Sequence, residues 1–144
     1  MAEAAFHNPP EATLRELLRA VRNIAVVGLS PRENRPSYRV AAALQEAGYR
    51  IIPVRPAVAQ ILGETCWPSL EDVPDPIDLV DVFRAPQYVD GIVDSCLRLG
   101  LPALWLQDGV INPAAALRAQ QAGMQVVMDR CTWRDYASLL AGRD

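Results

Sequence analysis

Short apolar runs alternate along this chain with segments of helical periodicity, and this alternation limits the folds that the chain can adopt. The runs are rich in Val, Ile and Leu, and they predict strands over 24–27, 49–54, 77–83, 102–106 and 125–128. Such uninterrupted runs are typical of strands buried on both faces of a parallel sheet. Strands that alternate with helices place the chain in the α/β class.

The segments between these runs predict helices. Their apolar residues recur at three- and four-residue spacing, which predicts helices that begin near Pro10 and that cover 40–47, 86–99, 113–121 and 133–140. With right-handed crossovers, we expect a Rossmann-like, doubly wound parallel sheet of about five strands in the order 3-2-1-4-5, with helices on both faces. Ligands bind such a sheet at the carboxyl ends of its strands, here beside the first strand.

Length and charge narrow the class of protein. The 144 residues fit a single domain, 1–144, with 1–8 as a flexible tail. A net charge of −3 gives no general basic field for nucleic acid. The longest apolar runs are far shorter than the roughly 20 residues that a membrane helix needs, and the N-terminus has no signal-peptide pattern. We therefore expect a cytoplasmic protein that binds neither nucleic acid nor membranes.

A small polar loop follows the first predicted strand. It contains Gly28, Ser30 and Arg35, and a helix begins after it near Ser37. A strand, a Gly/Ser loop and a helix N-terminus together form a phosphate-binding arrangement. We expect Gly28 and Ser30 to bind phosphate through backbone N–H groups and a hydroxyl, Arg35 to clamp it, and Ser37 to be the N-cap. The loop has no G-x-G-x-x-G, so it differs from ordinary NAD-binding loops.

Polar residues also follow the other predicted strands. Arg55 stands near the end of the second strand, where NAD-binding folds carry an acidic residue. An arginine suits an additional ribose phosphate, and both coenzyme A (CoA) and NADP have one. Phe83 and Arg84 are placed to flank an adenine ring, and Gln107 and Gly109 lie where a pantetheine arm or a pyrophosphate would pass.

Catalytic and metal-binding patterns are sparse. The only histidine is His7, which excludes Ser-His-Asp and Cys-His arrangements. The three cysteines are widely spaced and form no C-x-x-C pair. We therefore expect no metal site and no catalytic residue, with Cys131 an inert, partly buried thiol.

Several stretches together resemble the small single-domain CoA-binding proteins of the YccU-like family. In chain order, the matching stretches are 24–31, 35–37, 48–54, 63–64, 68–70, 78–84, 104–107 and 127–131. This family is similar in turn to the CoA-binding N-terminal domain of the succinyl-CoA synthetase α subunit. The resemblance implies a Rossmann-like sheet with CoA along its carboxyl edge.

The resemblance also implies a role for each matched position. The residues expected to contact phosphates are Gly28, Ser30, Arg35 and Ser37. Those expected at the adenosine end are Val54, Arg55 and Pro56. Phe83 and Arg84 are expected near the nucleotide, and Gln107 and Gly109 near the pantetheine. The chain departs from the family at Arg55, where the family usually has Asn, and after Cys131, where the usual Glu-His pair is missing.

The residues and the resemblance together favour one function over two alternatives. The favoured function is binding of CoA or an acyl-CoA by a protein without catalysis of its own. One alternative is an enzyme that uses NADP, which Arg55 supports. The other is a regulatory subunit of a CoA-using complex, with the proline-rich segment 56–76 as the contact.

Overall fold

A five-stranded parallel sheet forms the centre of the protein in a computed structural model, which describes residues 5–141. The strands of this sheet are β1 (Asn23–Val27), β2 (Arg50–Val54), β5 (Leu79–Val82), β6 (Ala103–Leu106) and β7 (Gln125–Val127). A separate antiparallel hairpin lies in the proline-rich connection and consists of β3 (Gln60–Ile61) and β4 (Glu64–Thr65). The sequence pattern did not predict this hairpin, because two-residue strands have no measurable periodicity.

Helices cover both faces of the sheet, as predicted. They are α1 (Glu11–Ala20), α2 (Pro36–Glu46), α3 (Val89–Leu99), α4 (Pro113–Gln121) and α5 (Thr132–Leu139), and single 3-10 turns occur at Leu70–Asp72 and Pro86–Tyr88. Residues of α1, α2 and α5 share one apolar cluster with Trp105. Residues of α3 and α4 share a second cluster on the opposite face. The Rossmann-like α/β fold class is therefore confirmed.

The strand order is β2-β1-β5-β6-β7, and it matches the predicted 3-2-1-4-5 pattern with one reassignment. Trp67 occupies the position that was predicted for the third strand, because it pairs in parallel with Val54 on the outer side of β2. The Trp67 N–H donates to the Pro53 carbonyl at 3.0 Å, and the Arg55 N–H donates to the Trp67 carbonyl at 2.8 Å. Segment 77–83, predicted as the third strand, instead forms β5 on the other side of β1. Every residue of β5 is buried, which fits a central strand and not an edge strand.

Residues 5–8 of the predicted flexible tail contact the rest of the protein, and its residues 1–4 lie outside the described residues. Phe6 packs against the second apolar cluster. Asn8 exchanges two hydrogen bonds with the backbone of Met128: its amide donates to the carbonyl at 2.9 Å and its side-chain oxygen accepts from the N–H at 2.8 Å. These bonds satisfy the exposed edge beyond β7, which anchors the segment. Between residues 5 and 141, no helix is long and apolar enough to cross a bilayer.

Candidate functional site

Three adjoining clefts open along the carboxyl edge of the sheet. The arginine cleft has a volume of about 590 Å³ and is lined by Gly28, Ser30, Pro31, Arg32, Arg35, Pro36, Ser37, Arg55 and Phe83. The apolar cleft, of about 290 Å³, is lined mainly by Val27, Val54, Pro56, Leu70, Arg84, Tyr88 and Ile92, with Gly28 at one side. The glutamine cleft, of about 450 Å³, is lined mainly by Val40, Phe83, Arg84, Gln107, Asp108, Gly109 and Cys131.

The clefts are continuous, since they share lining residues. Gly28 belongs to the arginine and apolar clefts, Phe83 to the arginine and glutamine clefts, and Arg84 to the apolar and glutamine clefts. Each residue singled out in the sequence as a ligand contact lines at least one of the three. The topology therefore collects residues from four strand ends at one surface.

Gly28 stands where the arginine and apolar clefts meet, and only glycine fits there. Its φ is +85°, and a Cβ at this position would lie 2.5 Å from the Phe83 carbonyl oxygen. Its N–H donates to the Val54 carbonyl at 3.0 Å. The expectation that this N–H is free for phosphate is therefore wrong. Gly28 instead allows the ends of β1 and β5 to approach each other.

The N-terminus of α2 opens into the arginine cleft without a side-chain cap. Arg35, not Ser37, occupies the N-cap position, and no acidic residue lies in the first turn. The Ser37 hydroxyl accepts the Ser30 N–H at 3.0 Å, so the predicted cap role of Ser37 and the predicted free Ser30 amide are both wrong. Within the described chain, the N–H groups of Ser37 and Tyr38 have no acceptor. They are free donors at the positive end of a helix dipole.

Arginines around the clefts are not neutralised. Arg32, Arg35, Arg55 and Arg84 form no ion pair with any carboxylate in residues 5–141. No acidic side chain lines the arginine cleft. The only side-chain hydrogen bond of Arg55 within this range is a long one of 3.5 Å to the Leu29 carbonyl. The cleft therefore combines uncompensated positive charge with free amide donors.

Arg84 lines both the apolar and the glutamine clefts, and Tyr88 lines the apolar cleft beside it. The Arg84 guanidinium lies 4.0 Å from the centre of the Tyr88 ring, a cation–π contact. Tyr88 is 49% exposed. The sequence analysis missed Tyr88, although its position four residues after Arg84, in a turn that begins at Pro86, could have indicated the contact.

A buried network lies beneath the glutamine cleft. The amide nitrogen of Gln107 donates to a carboxylate oxygen of Asp81 at 2.5 Å and to the Thr132 hydroxyl at 2.8 Å. The Thr132 hydroxyl donates to the other oxygen of Asp81 at 3.0 Å. Burial raises the pKa of Asp81 to about 7, and the hydrogen bonds from Gln107 and Thr132 partly oppose this rise. Sequence analysis missed this network, because its members come from three distant segments.

Two further polar groups at this rim, the Gly109 N–H and the Asp108 carboxylate, are paired. The Gly109 N–H donates to the Asp129 carboxylate at 2.8 Å, so Gly109 lines the cleft without a free amide. Arg134 binds Asp108 through two contacts of 2.8 and 2.9 Å, and these hydrogen bonds lower the pKa of Asp108. Arg134 stands in the segment that lacks the family's Glu-His pair, and its exposed ion pair borders the cleft.

Cys131 also lines the glutamine cleft and is half-buried. Cys66 and Cys96 are buried in the core, and burial raises the pKa of both thiols. Within residues 5–141, no group of three or more His, Cys, Asp or Glu side chains is arranged to hold a metal ion.

Comparison with known proteins gives the family. A family model described as a CoA binding domain matches residues 22–137. The chain is 40% identical over 126 residues to the uncharacterized protein YneT of Bacillus subtilis, covering 88% of this chain and 93% of YneT.

Other matches come from archaea. A solved structure, a hypothetical protein from Pyrococcus horikoshii, superposes with a TM-score of 0.89 at 33% identity and covers 98% of this chain and 100% of its own. The acetate–CoA ligase (ADP-forming) II of Archaeoglobus fulgidus is 28% identical over 82 residues, which are 56% of this chain and 12% of the ligase. Since the family model covers most of the chain, this protein belongs to the family of CoA binding domains.

Proposed function

We propose that this protein binds CoA or an acyl-CoA along the three clefts, and that binding, without a reaction of its own, is its function. One observation carries the proposal: unpaired arginines and free helix amides face a single cleft in a member of a CoA-binding family. CoA has a pyrophosphate and a 3′-phosphate, so it presents several negative charges to such a site.

The arginine cleft is proposed to hold the phosphates. The guanidinium groups of Arg35 and Arg55 match the oxygen spacing of a phosphate and form strong charge-assisted hydrogen bonds. The free amides of Ser37 and Tyr38 add donors at the end of the α2 dipole. Ser30 contributes its hydroxyl, which accepts from the Arg32 N–H at 3.1 Å and still has a proton to donate.

The adenosine end is proposed to lie at the apolar cleft. Val54 and Pro56 line it beside Arg84 and Tyr88. A purine ring gains apolar contact there and stacks on the guanidinium or on the phenol ring. Phe83 borders the arginine cleft, so it is placed between the phosphates and the pantetheine arm.

The pantetheine arm is then left to the glutamine cleft, where Gln107 and Gly109 lie. The related acetate–CoA ligase supports CoA as the ligand. The ligand and not the ligase reaction is carried over, because the matched part is 12% of that enzyme.

Isothermal titration calorimetry with CoA and with NADP tests the proposal. We expect CoA to bind more tightly than NADP, and Arg35→Ala to weaken CoA binding by about 1.5–3 kcal/mol, the range for a charge-assisted hydrogen bond. Arg39→Ala is the matched control, since Arg39 is exposed on the same helix and lines none of the three clefts. Equal affinities of the two variants, or tighter binding of NADP than of CoA, would contradict the proposal.

A further inference from the structure

The amide nitrogen of Gln107 is held by two buried partners, Asp81 and Thr132. The Gln107 atom that faces Asp81 is its nitrogen, which donates to a carboxylate oxygen at 2.5 Å. The second hydrogen on this nitrogen is used by the Thr132 hydroxyl, which itself donates to Asp81. Both donors of the Gln107 amide therefore point away from the glutamine cleft.

The side-chain oxygen of Gln107 is what remains for the cleft. It accepts no hydrogen bond from residues 5–141, yet every buried side-chain oxygen in that range has a partner. The oxygen is therefore in contact with solvent, although the whole residue is only 3% exposed. Gln107 lines the glutamine cleft, and both amide hydrogens are used by buried partners, so the oxygen is the side-chain atom left for a ligand in that cleft.

We propose that the Gln107 side-chain oxygen binds the pantetheine arm by accepting a hydrogen bond from one of its amide N–H groups. Asp81 and Thr132 are then positioning residues, which keep the Gln107 nitrogen turned inward and its oxygen available. The inference rests on the proposed function and deepens it. The pantetheine arm contains two secondary amides, whereas adenosine 3′,5′-bisphosphate keeps the 3′-phosphorylated adenosine, has one 5′-phosphate in place of the pyrophosphate, and lacks the arm. The neighbouring Gly109 N–H and Asp108 carboxylate are already paired, so they do not replace Gln107.

Calorimetry with three probes separates the two ends of the ligand. CoA carries both the arm and the 3′-phosphate, dephospho-CoA lacks the 3′-phosphate, and adenosine 3′,5′-bisphosphate lacks the arm. We expect Gln107→Met to lower the affinity for CoA and for dephospho-CoA by about tenfold, the effect of one hydrogen bond. The affinity for the bisphosphate should change by less than about twofold. Gln121→Met, on the exposed surface of α4, is the matched control.

The positioning residues give a second test that does not depend on folding of the Gln107 variant. Thr132→Val removes the hydroxyl but keeps the shape, so the Gln107 amide loses one acceptor. We expect a smaller loss of CoA affinity, about threefold, which Thr132→Ser restores. If Thr132 had only a structural role, Thr132→Val would also lower the affinity for the bisphosphate, and Thr132→Ser would not restore CoA binding selectively.

The outcomes distinguish this inference from the proposed function. If the wild-type protein binds the bisphosphate as tightly as CoA, or if Gln107→Met leaves CoA affinity unchanged, the phosphate site stands and the role of Gln107 is overturned. If the wild-type protein binds neither CoA nor the bisphosphate, the proposed function fails and the role of Gln107 fails with it.

Discussion

The arginine cleft and the glutamine cleft lie at the same sheet edge, but the arginines of the first form no ion pair within residues 5–141, whereas Gln107 of the second is fixed by buried hydrogen bonds. In the first, exposed Arg35 and partly buried Arg55 have no carboxylate partner among the described residues. In the second, Gln107 is buried and bound to two further buried groups. Free positive charge attracts any phosphate, whereas a fixed acceptor selects a particular donor. We infer that the first cleft supplies affinity and the second supplies discrimination.

The largest expected effect is a loss of stability on substitution of Gly28. Gly28→Ala introduces a Cβ 2.5 Å from the Phe83 carbonyl at a φ of +85°, and we expect a loss of about 3–5 kcal/mol in the free energy of unfolding from overpacking and backbone strain. Gly63→Ala is the control, because Gly63 also has a positive φ of +75° but no atom within 4 Å of its Cβ position. Urea denaturation measures both. Equal losses would show that the contact with β5 is unimportant.

Asp81 gives the next effect, a pH dependence of stability. Its pKa of about 7 lies above the ordinary value of 3.8, so between these values the folded protein holds a proton that the unfolded chain has released. The contribution of Asp81 to stability is therefore greatest below about pH 4 and falls as the pH rises to about 7. Relative to Asp81→Asn, we expect the wild-type free energy of unfolding to fall by about 3 kcal/mol over this window.

Urea denaturation at several pH values measures this difference. Asp108→Asn is the control, since the pKa of Asp108 is lowered and its contribution is lost only at lower pH. A wild-type-to-Asp81→Asn difference that stays constant from pH 4 to 7 would contradict the burial of an ionisable Asp81.

Salt separates the two clefts on the basis of charge. Raising the ionic strength from 0.1 to 1 M shortens the screening length from about 10 Å to about 3 Å. We expect CoA and adenosine 3′,5′-bisphosphate each to lose roughly tenfold in affinity, because both use the exposed arginines. The ratio of the two affinities should stay constant, since the contact to Gln107 is uncharged. If the ratio of the CoA affinity to the bisphosphate affinity falls as salt is added, the pantetheine arm contacts a charged group and not Gln107.

The smallest expected effect concerns Cys131. It lines the glutamine cleft, so bound CoA should slow its alkylation by iodoacetamide severalfold, whereas the bisphosphate should not. Peptide mass spectrometry measures the rate for each thiol, and buried Cys66 and Cys96 serve as internal references. Equal protection of Cys131 by CoA and by the bisphosphate would contradict the assignment of the pantetheine arm to the glutamine cleft.

The local parts of this arrangement could be predicted from the sequence. Gly28, Arg35 and Arg55 follow strands whose apolar runs are unmistakable, and parallel strands bring their carboxyl ends to one edge. The side on which a strand joins the sheet is not a local property. This is why Trp67, and not segment 77–83, takes the place beyond β2.

Long-range hydrogen bonds could not be predicted in the same way. Asp81, Gln107 and Thr132 are separated by at least 25 positions along the chain, and no spacing pattern connects them. The pairing of the Ser37 hydroxyl with the Ser30 N–H was also missed, because a serine near a helix start ordinarily indicates an N-cap. Residue types at strand ends therefore predicted residues that line the clefts, but not which donors remain free in them.

A thermal-shift titration of the wild-type protein with CoA and with NADP tests the central claim most directly. A ligand that binds only the folded state raises the melting temperature. At a hundredfold excess over the dissociation constant, we expect CoA to raise it by about 5–10 °C, and NADP at the same concentration to raise it less. No shift with CoA, or a larger shift with NADP, would contradict the assignment of these clefts to CoA.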